Sequence, residues 1–449
     1  MCHQSLGSNS KCRLKINHRE RRRDNLKKIK SHLKKLPSSH RCRSSLLRQR
    51  SHAFRGGAQH GDAKRSLSTR GNARQRSTWA PATAAVHADA ALDATSHDGD
   101  VCPPIGVSTT FDDGADHVYS RISAPTRERC EAVLAALEGG EGTRAVLFAS
   151  GNAATHAVLA SLAARARENG RTPRVATDGI GYHGTRDAIA ALGPAVEVVG
   201  GAADLGAGDV VWLESPRNPD LRVPDVAGAC AGPADVVVDA TFAPLAQRLL
   251  EEDVVCVVHS ATKGLGGHSD LLGGVAITRC ADLADRLAWH RTAAGAAPGS
   301  LDCWLLLRSL RTLDVRVTRQ NATAQRVAEA LEASGLLRRV LYPGLASHPD
   351  HAVAKRQMTS YGSILAVECR SETIARALPE KLALFRSATS LGGVESLAEW
   401  RRRYDDAVSP LLVRLSIGLE DPDDLIGDLL GALRRLEYHR ARCEGVGVE

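Results

Sequence analysis

One lysine stands out by the company it keeps. The segment His259-Ser260-Ala261-Thr262-Lys263-Gly264-Leu265-Gly266-Gly267-His268-Ser269-Asp270 follows an apolar, strand-like run, Val254-Val255-Cys256-Val257-Val258. Glycines let backbone approach a bound group closely, and the hydroxyls of Ser260 and Thr262 can donate to a phosphate. A lysine amine desolvated at a strand end loses its proton readily and can attack a carbonyl. From residue 81 onward there are only three lysines, Lys263, Lys355 and Lys381. Arginine supplies the other cations, and a guanidinium stays protonated. Taken alone, the segment also suits an exposed lysine in a glycine-rich turn.

Other polar clusters sit where a bound anion or ring could be held. Ala149-Ser150-Gly151-Asn152-Ala153-Ala154 is a small-residue turn opening a helix, which exposes N–H groups and a positive helix end. Asp239-Ala240-Thr241-Phe242 closes a valine-rich run and puts a carboxylate at a strand end. An ordinary strand-to-helix turn and a turn-forming aspartate are the plainer readings of each.

The elements that must position these residues follow from periodicity. Strand-like runs fall at 145–148, 174–177, 196–199, 210–213, 236–238, 254–258 and 274–277, separated by alanine-rich helical stretches. Solid valine-rich runs between helices predict a mostly parallel sheet covered on both faces. Ligands then lie at the carboxyl ends of the strands, where the polar clusters are. Thr126 is expected to cap a helix reaching Glu138, and a long helical region is expected over 301–334. Beyond it, strands at 363–367 and 412–416 alternate with helices at 371–383 and 422–437.

Ser260-x-Thr262-Lys263 with Gly267-His268-Ser269-Asp270 resembles the cofactor-lysine segment of the Cys/Met-metabolism (transsulfuration) family of pyridoxal-phosphate enzymes, and motifs from about His87 to Leu436 follow that family's order. The family comprises cystathionine γ-synthase, cystathionine γ- and β-lyases and methionine γ-lyase. The resemblance implies an α/β protein of the aspartate-aminotransferase-like fold (type I): a large domain with a mostly parallel sheet and a smaller C-terminal α+β domain. It implies pyridoxal 5'-phosphate bound to Lys263 as an imine, with Ser150, Gly151, Asn152, Ser260 and Thr262 near its phosphate, Tyr182 on its ring and Asp239 and Thr241 at its nitrogen side. The freed Lys263 amine would act as base, with Tyr182 as the second catalytic group.

In Tyr119-Ser120-Arg121 the resemblance implies a pair reaching the phosphate of a neighbouring subunit, hence a dimer with shared sites, and the family's tetramer. Substrate contacts would come from Asn218 in Glu214-Ser215-Pro216-Arg217-Asn218-Pro219, from Thr389 and Ser390, and from Arg414, whose fork suits an α-carboxylate. The chain departs from the family at Ala124 and Ala240, where asparagine is usual, and in a proline, Pro244, one place early. Thr389 matches neither the glutamate of γ-specific relatives nor the tyrosine of one β-lyase branch. A carbon–sulfur lyase on cystathionine or a related thioether amino acid is the reading preferred, with cystathionine γ-synthase as the alternative. A non-catalytic protein of the same fold, or a nucleic-acid binder led by its tail, represents a different class.

That tail is the strongest compositional feature. Residues 1–80 hold 22 Lys/Arg against three acids, about +19, and the rest hold 37 against 48, about −11. Its Arg- and Ser-rich, acid-poor composition suits a transit peptide to mitochondrion or plastid, a silent extension with the enzyme in the cytoplasm, or a nucleic-acid-binding arm. The absence of interleaved aromatics weakens the last. Eleven scattered cysteines without a C-x-x-C pair read as reduced intracellular thiols, and no ligand spacing for a metal occurs. No apolar run approaches the ~20 residues of a membrane span. The organisation expected is a basic extension (1–80), an arm and dimer-contact segment (81–140), a cofactor-binding domain (141–300), a linking helical region (301–334) and a C-terminal domain (335–449).

Overall fold

A computed structural model describes residues 79–90, 92, 100–177, 179 and 181–444. The basic extension up to residue 78 lies outside them, as do Asp178 and Ile180.

Helices α1 (Pro81–His87) and α2 (Pro125–Glu138) precede a seven-stranded sheet. Its strands are β1 (Arg144–Phe148), β2 (Arg174–Thr177), β3 (Glu197–Val199), β4 (Val210–Glu214), β5 (Asp235–Asp239), β6 (Cys256–Ser260) and β7 (Gly274–Thr278), in spatial order β1-β7-β6-β5-β4-β2-β3. Only β7 runs against the others, pairing antiparallel with β1 and β6. The α/β class expected from the valine-rich runs is therefore the class observed.

Alternation along each strand builds two cores. Val210 and Trp212 of β4, with Val237, Cys256 and Val258, face α3 (Gly151–Glu168) and α6 (Ala281–Ala294). Val211 and Leu213, with Val236, Val238 and Val257, face α2 and α7 (Ser300–Leu310). A strand buried on both faces has no polar side to show, so its sequence reads as a continuous apolar run. Between these helices come α4 (His183–Leu192) and the short α5 (Val226–Cys230).

Two local expectations are corrected. Thr126 does not cap α2: Ala124 is the cap residue, Pro125 opens the helix, and Thr126 Oγ1 accepts from Gly106 N at 3.0 Å. Proline's fixed φ and missing N–H suit the first helical position. The helical region at 301–334 is two helices, α7 and α8 (Leu313–Ala333), broken at Arg311–Thr312, where Arg311 turns aside to the buried Asp89 at 2.8 and 2.9 Å.

Helix α8 leads to a second, five-stranded sheet in the order β10-β11-β12-β9-β8, made of β8 (Arg339–Leu341), β9 (Ile364–Glu368), β10 (Arg386–Ser387), β11 (Leu397–Trp400) and β12 (Leu412–Ser416). Helix α9 (His351–Gln357) follows β8; α10 (Glu372–Lys381) and α11 (Pro422–Glu444) cover the sheet. Val413 and Leu415 of β12 point to those helices, whereas Leu412 packs with Leu221 and Phe242 from the loops after β4 and β5. The face carrying residues 412, 414 and 416 is thus turned toward the carboxyl ends of the large sheet.

Candidate active site

Five loops leaving the parallel strands supply most of the polar groups, as the topology requires. Lys263 lies three residues past β6. Its backbone N donates to Ser260 O at 3.1 Å and its carbonyl accepts from Gly267 N at 2.7 Å, a tight turn that sets the side chain's direction. The Lys263 Nζ donates to Ser390 Oγ at 2.9 Å. Burial, then the neighbouring Arg414 cation, lowers the Lys263 pKa, so its neutral amine is favoured.

The loop around Lys263 is clamped from below. Arg316, on α8 and buried, donates to Gly264 O at 2.9 Å, Leu265 O at 3.3 Å and Ser309 O at 3.0 Å. Burial pushes its guanidinium down to about 10. Gly392, at φ 75°, approaches so closely that a Cβ there would lie 2.7 Å from Gly264 N. Glycine is required on both counts.

Asp239 ends β5, half-buried, and accepts from Thr241 N at 2.9 Å and Thr241 Oγ1 at 2.5 Å. Thr241 Oγ1 in turn accepts from Ser260 N at 2.9 Å, tying the aspartate loop to the lysine loop. Burial raises the Asp239 pKa, and the Thr241 bonds oppose it. Register places Glu214 beside Asp239 on β4. Glu214 accepts from Tyr182 N at 2.5 Å and Asn218 N at 3.1 Å, and burial, then Asp239, pushes its carboxyl up to about 8. Tyr182, half exposed, lies close enough to Asp239 and Arg401 to be influenced by both charges.

At the turn after β1, Ser150 Oγ accepts from Ala153 N at 3.1 Å and caps the 18-residue α3. Gly151 packs against Ser260, where a Cβ would meet the Ser260 Cβ at 3.0 Å. Asn152 borders Gly184, next to Tyr182. Thr262 is turned otherwise: its hydroxyl is engaged by Gly273, donating to its carbonyl at 3.3 Å and accepting from its N at 3.0 Å.

Arg414 completes the cluster from the second sheet. It is buried and donates to Asn218 Oδ1 at 3.1 Å, Ser390 O at 3.2 Å and the Glu399 carboxylate. Glu399 is its register partner on β11, and Glu399 also accepts from Arg401 Nη1 at 3.0 Å. Burial lowers Arg414 to about 10, against the opposing pull of Glu399.

Of the residues singled out from sequence, Lys263, Ser390, Arg414 and Asn218 form one hydrogen-bonded cluster, and Asp239, Thr241 and Ser260 a second joined to it through the lysine loop. Thr389 is exposed beside Ser390. Tyr119 and Arg121 are exposed together, with Arg121 donating to Thr292 O at 2.9 Å and lying 5.5 Å over the Tyr119 ring. Sequence reading missed the parts played by Glu214, Arg316, Glu399 and Arg401. For Glu399 a signal existed: a charge alternating with apolar residues in a strand-like stretch beside Ser390.

Sheet topology, strand-end loops and a half-buried lysine define a protein of the fold that binds pyridoxal phosphate through lysine. Comparison with known proteins then fixes the family: residues 82–434 match the Cys/Met metabolism PLP-dependent enzyme model, and the chain belongs to that family. It is 38% identical over 384 residues to a cystathionine gamma-synthase of Mycobacterium bovis, covering 79% of this chain and 96% of that one. It is 34% identical over 385 residues to a cystathionine beta-lyase of Lactococcus lactis subsp. cremoris, covering 79% and 98%. The crystal structure of a methionine gamma lyase from Micromonospora echinospora, 38% identical, covers 80% of this chain and 100% of that one with a TM-score of 0.72. The chain is an enzyme whose cofactor is pyridoxal phosphate.

Proposed function

We propose that this enzyme is a carbon–sulfur lyase of transsulfuration, acting on cystathionine or a related thioether amino acid. The residues present fit the cofactor. Lys263 offers an amine whose protonated form is disfavoured, at 2.9 Å from a hydroxyl rather than from a carboxylate that would hold its charge. The capped N-terminus of α3, with Ser150, Gly151 and Asn152, offers unpaired N–H groups to a phosphate beside Ser260. Asp239 is a half-buried carboxylate at a strand end, able to hold a proton on the ring nitrogen. Tyr182 offers a flat face, and the Thr262 hydroxyl, held by Gly273, supports the loop more than a ligand.

When bound, pyridoxal phosphate supplies an electron sink that stabilises negative charge at the substrate's α-carbon. The chain's own groups do the rest. Arg414 and Asn218 orient the α-carboxylate, so that the Cα–H faces the Lys263 amine. Lys263 Nζ takes the α-proton and delivers protons at the carbon chain. Ser390, bonded to it at 2.9 Å, keeps that nitrogen directed, and Tyr182 serves as the second catalytic group. Thr389, exposed beside Ser390, is short and neutral and cannot pair with the distal amino group of cystathionine, so it favours a related thioether without that group as readily.

The observation that carries this reading is the Lys263–Ser390–Arg414–Asn218 cluster at the strand ends. Feeding cystathionine and identifying the keto acid tests it: pyruvate marks β-elimination and 2-oxobutyrate γ-elimination. Release of neither, with cystathionine formed from cysteine and an activated homoserine, identifies a γ-synthase; similarity to a relative of that name supports this second reading. Borohydride reduction with pyridoxal phosphate, followed by peptide mass spectrometry, tests attachment at Lys263.

The exposed Tyr119 and Arg121 support a dimer in which this pair serves the partner's phosphate, and pairs of dimers making a tetramer. On this reading residues 141–300 bind the cofactor, 335–449 close over the substrate, 301–334 join them, and 81–140 bring subunits together. No described helix is long and apolar enough to cross a membrane. The basic segment 1–80 is proposed as a transit peptide, tested by following a fluorescent fusion in cells.

A further inference from the structure

We infer that Arg401 is a positioning residue for substrate recognition: it holds the Glu399 carboxylate so that Arg414 keeps an unmatched positive charge for the substrate's own carboxylate. This rests on the reading of Arg414 given above.

Three arginines in a row follow β11, in a short 3₁₀ turn over Arg401–Arg403. Only the first points inward. Arg403 reaches Glu380 at 3.8 Å with both side chains more than half exposed, and Arg402 pairs with Asp406 at the surface. Arg401 and Glu399 are both 5% exposed. An arginine and a glutamate buried against each other at the end of a strand are not there for solubility.

The arrangement is a shared carboxylate. Glu399 Oε1 accepts from Arg401 Nη1 at 3.0 Å, while Oε2 accepts from Arg414 Nη2. Arg414 with Glu399 alone would be neutral. A carboxylate arriving there would find no net attraction and would face a second carboxylate at close range. Adding Arg401 gives the trio a net charge of +1, which one arriving carboxylate balances. Arg401 also has reserve capacity, since its Nε is buried without a hydrogen-bond partner in the protein. As substrate occupies Arg414, Glu399 must loosen its hold there, and Arg401 is the cation that retains it. Arg401 is linked to the reacting groups through Glu399, which it shares with Arg414, itself bonded to Asn218 Oδ1 and to Ser390 O.

The test uses the holoenzyme and a matched pair of non-reacting ligands, an α-methyl thioether amino acid and its carboxamide, titrated by calorimetry. Arg401→Met is expected to weaken the carboxylate ligand about 10- to 100-fold, with KM following. The carboxamide should be affected little and kcat should hold within about threefold, because the loss is one of ground-state binding. Arg401→Lys should restore most of the affinity. Glu399→Gln placed in the Arg401→Met background should also restore it, because the uncompensated carboxylate is then gone; a packing role would not be rescued this way. Equal weakening of both ligands, an unchanged carboxylate affinity, or no rescue by Glu399→Gln overturns the inference while leaving the proposed function standing. A wild-type enzyme that attaches pyridoxal phosphate at Lys263 yet binds the two ligands equally overturns both the role of Arg414 and this inference.

Discussion

Replacing Arg316 by methionine should loosen cofactor binding more than it destabilises the fold. Three carbonyls lose a donor, those of Gly264, Leu265 and Ser309. The Ser309 carbonyl keeps the backbone N–H of Thr312 at 3.1 Å, so the loss falls on the other two. A buried carbonyl left unpaired costs about 1–3 kcal/mol, so the pair costs about 2–6 kcal/mol. Methionine also relieves a penalty. Burial holds the guanidinium at about 10 instead of 12.5, which corresponds to about 3 kcal/mol of disfavoured charge. The net is a small global change, from about −1 to +3 kcal/mol of lost stability, in a side chain that still fills the space. Both freed carbonyls, however, belong to the two residues after Lys263, so the loss is concentrated in the loop that must present the amine. Urea unfolding of the apo-enzyme and absorbance titration with pyridoxal phosphate, run side by side, separate the two effects. The expected result is a cofactor Kd raised about tenfold or more, with a small shift of the urea midpoint. A large stability loss with an unchanged Kd would refute the idea that Arg316 acts on the lysine loop.

Asp239→Asn should retain cofactor at Lys263 but lower kcat by about 10²–10⁴-fold, measured as keto acid release, since an amide cannot hold the ring-nitrogen proton as a carboxylate does. Glu214, held at about 8 against an ordinary 4.5, binds a proton more tightly folded than unfolded; stability of the apo-enzyme should therefore fall as pH rises from about 5 to 8, by up to about 5 kcal/mol, and Glu214→Gln should remove that slope in urea titrations. In the apo-enzyme, Arg414→Met should move the acylation midpoint of Lys263 to higher pH, read by mass spectrometry of labelled peptides, because one cation opposing its protonation is gone. An unchanged midpoint would leave burial alone as the cause.

Much of the large sheet was legible because strands buried on both faces carry continuous apolar runs. The runs at 174–177 and 412–416 coincide with β2 and β12, while β6 begins two residues later than its valines suggest. The break at Arg311–Thr312 was hidden, and so was the partner of Arg311 there, Asp89, more than 200 residues away. Thr126 misled because Pro125, one residue earlier, already opens the helix, so Thr126 lies inside the first turn and its hydroxyl goes to Gly106 N.

Arg414 came from the family resemblance, whereas Lys263, Asp239 and Ser150 could be found from local spelling: a glycine-flanked lysine, an acid ending a strand and a small-residue turn. Such signals are short-range, arising from what one stretch of chain must do to turn or to bury itself. Glu214, Arg316, Glu399 and Arg401 acquired meaning only when strand register and helix packing brought distant charges together. Register alone set Glu214 beside Asp239 and Glu399 beside Arg414. Which charges are neighbours, and so which protons and carboxylates the site can hold, is a property of through-space distance in a low-dielectric interior, and linear sequence does not carry that distance.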